Sequence, residues 1–139
     1  MARVWLPVDC ILCGNPPVQL CSSCRMRFPF VIHGVSRVEG LKGVAVSEYE
    51  GEASRVIRAF KVFGSRQLCG FLAESMAAAL DQFLRDSEPL PNRPLWLIPA
   101  PSSRQSFKAR GFVPAKLLAS AIRRKLIANS HPNVRVVDC

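Results

Sequence analysis

The sequence predicts an α/β domain with a mostly parallel sheet, preceded by a short cysteine-rich module. Three observations carry that reading. From residue 43 onward the hydrophobic periods run strand, helix, helix, strand, loop, helix, strand, the alternation produced by right-handed crossovers over a parallel sheet. Four of the chain's six cysteines fall within residues 10–24, a stretch too short to bury a core of its own and therefore in need of a staple. The length of 139 residues and the 49% hydrophobic content fit one ordinary globular domain. The expected division is a module over residues 1–35 and the α/β domain over residues 36–139, with no internal repeat.

Each element follows from local chemistry. Residues 1–30 are rich in Cys and Pro without a period of 3.6 or 2, so loops and tight turns are expected there. GVAVSEYEG, from Gly43, is apolar and β-branched between turn residues and predicts a strand of about six residues. A helix then opens at Gly51: Ala53, Val56, Ile57 and Phe60 recur at helical spacing, Arg55, Arg58 and Lys61 occupy the outer surface, and Gly64 stops it. Ser65 caps a second helix with a stripe of Leu68, Leu72, Met76, Ala79 and Phe83, ending at the connector PLPNRP. PLWLIPAP predicts a strand covered on both faces, Trp96 included, and SSRQSFKARGF a loop after it. Pro114 suits a first helical turn, and Ala115, Leu118, Ala119, Ile122 and Leu126 carry the apolar face to Asn129. VRVVD predicts a final buried strand. Ligands of such sheets bind beyond the carboxyl ends of the strands, which puts the expected site after Trp96 to Pro99.

CILCGNPPVQLCSSC holds two CxxC turns, Cys10/Cys13 and Cys21/Cys24, seven residues apart. Each turn aims two thiolates at one centre, and two turns together supply the four sulfurs that zinc prefers. Gly14 lets the backbone fold back over such a centre. The competing readings are a disulfide pair, foreign to a cytoplasmic chain, and a redox CxxC, which usually follows a strand in a βαβ unit; neither context is present. With all four cysteines engaged no coordination position stays open, so the expected zinc is structural rather than catalytic. Cys69 reads as a small buried helical residue, Cys139 as a frayed end, and His33 and His131 as exposed loop residues rather than ligands.

Nineteen Lys and Arg against ten Asp and Glu give a net charge of +9, which draws phosphates, nucleotides and nucleic acids without naming one. The longest apolar run, LCGFLAESMAAALDQFL, is interrupted by Glu74 and Asp81, so no membrane span is predicted. The N-terminus lacks the apolar core and cleavage site of a signal peptide, and a cytoplasmic location is expected. Between Pro99 and Phe112, Ser102, Ser103, Arg104, Lys108, Arg110 and Gly111 form a candidate phosphate or diphosphate cradle: guanidinium groups grip oxygens in pairs, hydroxyls add donors, and the next helix adds its positive end. A solvated charged loop is the bland alternative.

With these residues in view, the sequence resembles the ComF family of competence-associated, phosphoribosyltransferase-like proteins. The resemblance rests on the paired CxxC turns, on YEG followed by RVIRAFKVFG, and on IPAPSSRQSFKARGF followed by AKLLASAI, in that order over nearly the whole chain. It implies a zinc-binding module on a type I phosphoribosyltransferase-like domain and a role in DNA uptake or the processing of internalised DNA, with other uptake or recombination proteins as partners. By position it sets Arg104, Arg110 and Gly111 opposite the diphosphate of phosphoribosyl diphosphate, and Arg58 and Lys61 at the family's basic helix end.

Two departures limit the transfer. Val113 and Pro114 stand where the family's loop continues with Asn and Gln, and the chain has neither an Asp-Asp pair nor any Thr with which to build the family's ribose-phosphate loop, near which magnesium would bind. The expectation is therefore the N-terminal half of a phosphoribosyltransferase-like domain, from a fragment, a truncated product or a degenerate member, inactive alone; magnesium enters only with the missing half. The alternative is a zinc-ribbon module that binds single-stranded DNA through the basic helix and loop, and a third reading is a structural piece completed by a partner.

Overall fold

The computed structural model describes residues 9–35, 40, 42–87, 94–129 and 131–137. The connector over residues 88–93, Asp138 and the cysteine at 139 lie outside the described residues. In chain order the elements are α1 (Ser22–Arg27), β1 (His33–Val35), β2 (Gly43–Ala45), α2 (Gly51–Phe63), α3 (Arg66–Asp86), β3 (Leu95–Leu97), α4 (Arg104–Arg110), α5 (Pro114–Ala128) and β4 (Val134–Val136).

The helices carry the architecture. α2 ends at Gly64, which takes the left-handed conformation at φ 57° and donates its N–H to Phe60 O, the usual way a helix satisfies its last carbonyls. The Ser65 hydroxyl then accepts from the Leu68 N–H and starts α3, as its position before the apolar stripe predicts. α3 buries Leu68, Phe71, Leu72, Ala73, Ala77 and Ala79, and packs most extensively on α5, which buries Ala119, Ala121, Ile122 and Leu126. Along the stripe expected on α3, Leu68, Leu72 and Ala79 are buried, Phe83 is half-buried and Met76 is 37% exposed.

The strands are shorter and differently joined than the sequence predicts. Among the described residues there are two two-stranded sheets: β1 pairs antiparallel with β2, and β3 pairs parallel with β4. Of the parallel sheet expected from the sequence, the described residues show the three-residue ladder of β3 with β4. An apolar cleft of about 530 Å³, lined by Val44, Val46, Leu97, Ile98 and Leu118 among others, lies between β2 and β3. β1 had no expectation in the sequence, and it turns the first strand region into a hairpin instead of a member of a parallel sheet.

Further expectations are corrected. α1 is a helix inside the stretch expected to be loops and turns, because the second CxxC turn continues into a helical segment with Arg25 and Arg27 at its last turn, where cations suit the helix end. The expected loop SSRQSFKARGF is helical over Arg104–Arg110; Ser103 caps it through the Ser106 N–H at 3.1 Å, and Gly111 closes it at φ 75°. β3 is not covered on both faces: Leu95 and Leu97 pack on the core, whereas Trp96 is 50% exposed. β4 likewise buries Val134 and exposes Arg135. Finally, His131 is half-buried rather than exposed, with Nε2 2.7 Å from Asp81 Oδ1; His33 is exposed but lies in β1.

Candidate metal centre

The first CxxC turn is built by backbone hydrogen bonds that need no regular element. Gly14 donates to Cys10 O at 2.8 Å, Cys10 to Asn15 O at 2.9 Å, and Ile11 to Gln19 O at 3.0 Å. Gly14 has φ 77°, the conformation a reversal over two sulfurs requires. The second pair is placed by α1: Cys21 is its N-cap residue and Cys24 lies in its first turn, so both side chains leave the same helix end.

The two pairs converge. The sulfurs of Cys10, Cys13, Cys21 and Cys24 all lie within 4.8 Å of one another. Cys13 Sγ and Cys21 Sγ are 3.6 Å apart, far beyond the roughly 2.05 Å of a disulfide and near the roughly 3.8 Å edge of a tetrahedron with metal–sulfur bonds of about 2.3 Å. The Cys21 N–H points at Cys10 Sγ at 3.5 Å. None of the four is in a disulfide. The group can hold a metal ion.

The four thiols do not ionise alike. Burial pushes the Cys10 thiol up, but hydrogen bonds from the backbone of Cys21, Cys13 and Leu12 outweigh it and bring the group to about 6. At Cys24 burial, hydrogen bonds with the other three cysteines and the charge on Cys10 all act upward, to about 12. One thiolate is thus easily formed and the last is strongly opposed by its neighbours, a charge imbalance that a cation at the centre relieves.

The centre is tied into the rest of the fold. Cys10 and Cys24 are 3% and 4% exposed and belong, with Leu20 and Phe28, to the same core cluster as Phe60, Leu68 and Leu126. Phe28, Phe30 and Phe71 form a ring cluster with centroids 4.6 to 5.1 Å apart, and the Arg25 guanidinium lies over Phe71 while pairing with Glu74. Arg55 on α2 donates to Ile11 O and to Leu12 O, and Gln67 on α3 donates to Leu20 O. Arg55, Gln67 and Glu74 are functional anchors that sequence reasoning missed, since each reaches across more than forty residues and has no motif of its own.

The basic residues are arranged less compactly. Ser102 is half-buried, Ser103 is engaged as a helix cap, Arg104 and Lys108 are exposed one turn apart on α4, and Arg110 is half-buried with its Nε shielded and without a hydrogen-bond partner among the described residues. Seven helical residues span about 10 Å, so the serines and Arg104 stand at one end of α4 and Arg110 and Gly111 at the other. Arg58 and Lys61 are exposed on α2. Its end at Gly64 touches the Phe112 ring, which brings the Lys61 turn beside the Gly111 turn. Cys69 is buried as expected, and burial pushes its thiol up against the opposing charge of Arg124.

Comparison with protein-family models, with curated proteins and with solved structures finds no match to this chain. No helix among the described residues is long and apolar enough to cross a membrane.

Proposed function

We propose that Cys10, Cys13, Cys21 and Cys24 hold one structural zinc ion that staples the front of the chain to its helical core. The observation that carries this reading is the convergence of four sulfurs from two CxxC turns within 4.8 Å. Thiolates are soft donors that suit zinc, and a complete set of four leaves no position for water or substrate, so the ion supplies folding energy rather than a reactive centre. The test is metal analysis of the purified chain: about one zinc per chain is expected, and a chain purified without metal in which residues 10–24 are nonetheless folded would sink the idea.

On this stapled scaffold we propose a ComF-type, phosphoribosyltransferase-like role in DNA uptake. It is supported by the order of the sequence motifs and by the contact of Gly64 with Phe112, which joins the FKVFG and ARGF segments in space. Arg104, Lys108, Arg110 and Gly111, with Ser102 and Ser103, are the groups available to a diphosphate. Positioning such an anion is only half of a phosphoribosyl transfer, which also needs charge stabilisation at the sugar. The expected outcome is binding of phosphoribosyl diphosphate without its turnover; diphosphate release by the chain alone would overturn the inactive assignment.

The second reading is nucleic-acid binding through the exposed cations of α2 and α4, Arg58, Lys61, Arg104 and Lys108. Binding of that kind weakens steeply with salt as counterions are released. Salt-insensitive binding to single-stranded DNA would count against it.

A further inference from the structure

The parallel pair β3–β4 has two unlike faces. Leu95, Leu97 and Val134 turn toward the core, so the alternate positions, Trp96 and its register partner Arg135, turn away from it together. The Arg135 guanidinium lies 5.5 Å from the centre of the Trp96 ring. On α5, Ser120, Arg123 and Arg124 share a face, as residues three and four apart must. These two surfaces meet at an open hollow of about 560 Å³ lined by Trp96, Ser120, Arg123, Arg124, Arg135 and Val136. Among the described residues no carboxylate lines it, and no ion pair joins Arg124 or Arg135 to an acidic group. Arg123 is itself fixed, its Nε donating to Val134 O at 2.8 Å.

We infer that Trp96, Arg123, Arg124 and Arg135 form a docking surface for an unpaired nucleic-acid strand, the indole stacking on a base and the guanidiniums meeting the flanking phosphates. The chemistry selects this ligand. A half-exposed indole beside arginines matches a ligand that alternates flat rings with anions. A base inside a duplex is already stacked on both sides and cannot use the indole. Three guanidiniums on two elements suit a ligand that carries successive phosphates. The surface shares no lining residue with the cysteine centre or with residues 102–111, and the inference rests on neither.

The experiment is fluorescence anisotropy of the full-length chain with a labelled oligothymidine of about twelve nucleotides, its duplex with oligoadenine, and free thymidine monophosphate, over a salt series. Trp96→Ala is expected to weaken binding to the single strand about tenfold, the effect of losing one stacked base, and Trp96→Phe to retain most of it. Arg124→Ala and Arg135→Ala should each lower the slope of log K against log salt by about 0.7. Lys42→Ala, an exposed cation elsewhere, should change affinity less than about twofold, within the range of nonspecific attraction. Folding of each variant is checked by its melting curve and metal content. Unchanged affinity and salt slope in Trp96→Ala and Arg135→Ala would overturn the inference, as would absence of single-strand binding at low salt. So would equal affinity for the monophosphate or the duplex, or loss of binding only when Arg58 and Lys61, or Arg104 and Lys108, are replaced.

Discussion

Gly64 and Phe112 are in contact across 48 residues of sequence: a β-carbon at position 64 would stand 2.7 Å from Phe112 Cζ, and Gly64 itself holds φ 57°. The end of α2 and the turn after α4 are thereby locked together by a position that only glycine fills without cost. Gly64→Ala is expected to destabilise the fold by about 1–3 kcal/mol, combining left-handed strain with the clash. In a Phe112→Ala background the same substitution should cost only the strain, about 1 kcal/mol. Urea denaturation of the four proteins of this cycle measures the difference, and equal costs in both backgrounds would mean that the ring does not press on position 64.

Cys21→Ser removes one of four thiolates from a site whose donors all come from the protein. Metal content should fall well below about one ion per chain, and α1, whose N-cap is residue 21, should lose its helical signal. Retention of stoichiometric metal in this variant would contradict the four-sulfur centre.

Removing the proposed zinc with a chelator should act locally first. The amides of Ile11 and Gly14, whose partners are Gln19 O and Cys10 O, depend on the turn and should lose hydrogen-exchange protection. Those of the α3–α5 core around Ala73 and Leu126, both fully buried, should keep it until the chain unfolds globally. Simultaneous loss at all four amides would mean that the centre and the core unfold as one unit.

The contact of His131 with Asp81 gives a pH-dependent contribution to stability. The hydrogen bond with His131 holds the Asp81 carboxyl below its ordinary value of 3.8, with Arg85 acting the same way and burial opposing. A carboxyl depressed in the native state stabilises it above the unfolded value and loses that contribution as pH falls through the lower, native value. Asp81→Asn should therefore lower the melting temperature at about pH 5, and the gap from the parent should close as pH drops below 3.8. A gap that persisted unchanged into strong acid would exclude the carboxylate as its source.

α2, α3, α5 and the cysteine centre were legible because their signals are local. Ser65 and Gly64 bracket α3 and α2 by capping chemistry confined to a single turn, and two CxxC turns place four sulfurs within one short segment. What the sequence did not disclose depends on distant partners. Leu95-Trp96-Leu97 reads as a continuous apolar run, yet β3 pairs on one side with β4 and buries only alternate residues, so Trp96 emerges. The alternation of Val134, Arg135 and Val136 was the available signal that this sheet has one wet face. SSRQSFKARG has a capping Ser and a closing Gly around seven residues, a helix signature hidden by the density of its charges. His131 could not be assigned, because its partner Asp81 lies 50 positions earlier, on α3.

All four sulfur donors precede the helices that the centre packs against. During synthesis, at about 5–20 residues per second, Cys24 leaves the ribosome several seconds before α3 is complete. The short separation between the two CxxC turns keeps the entropy of closing that ring small. On the proposed zinc reading, the four-sulfur turn can load before Phe71 and Glu74 have been synthesised, so it meets them as a preformed docking face.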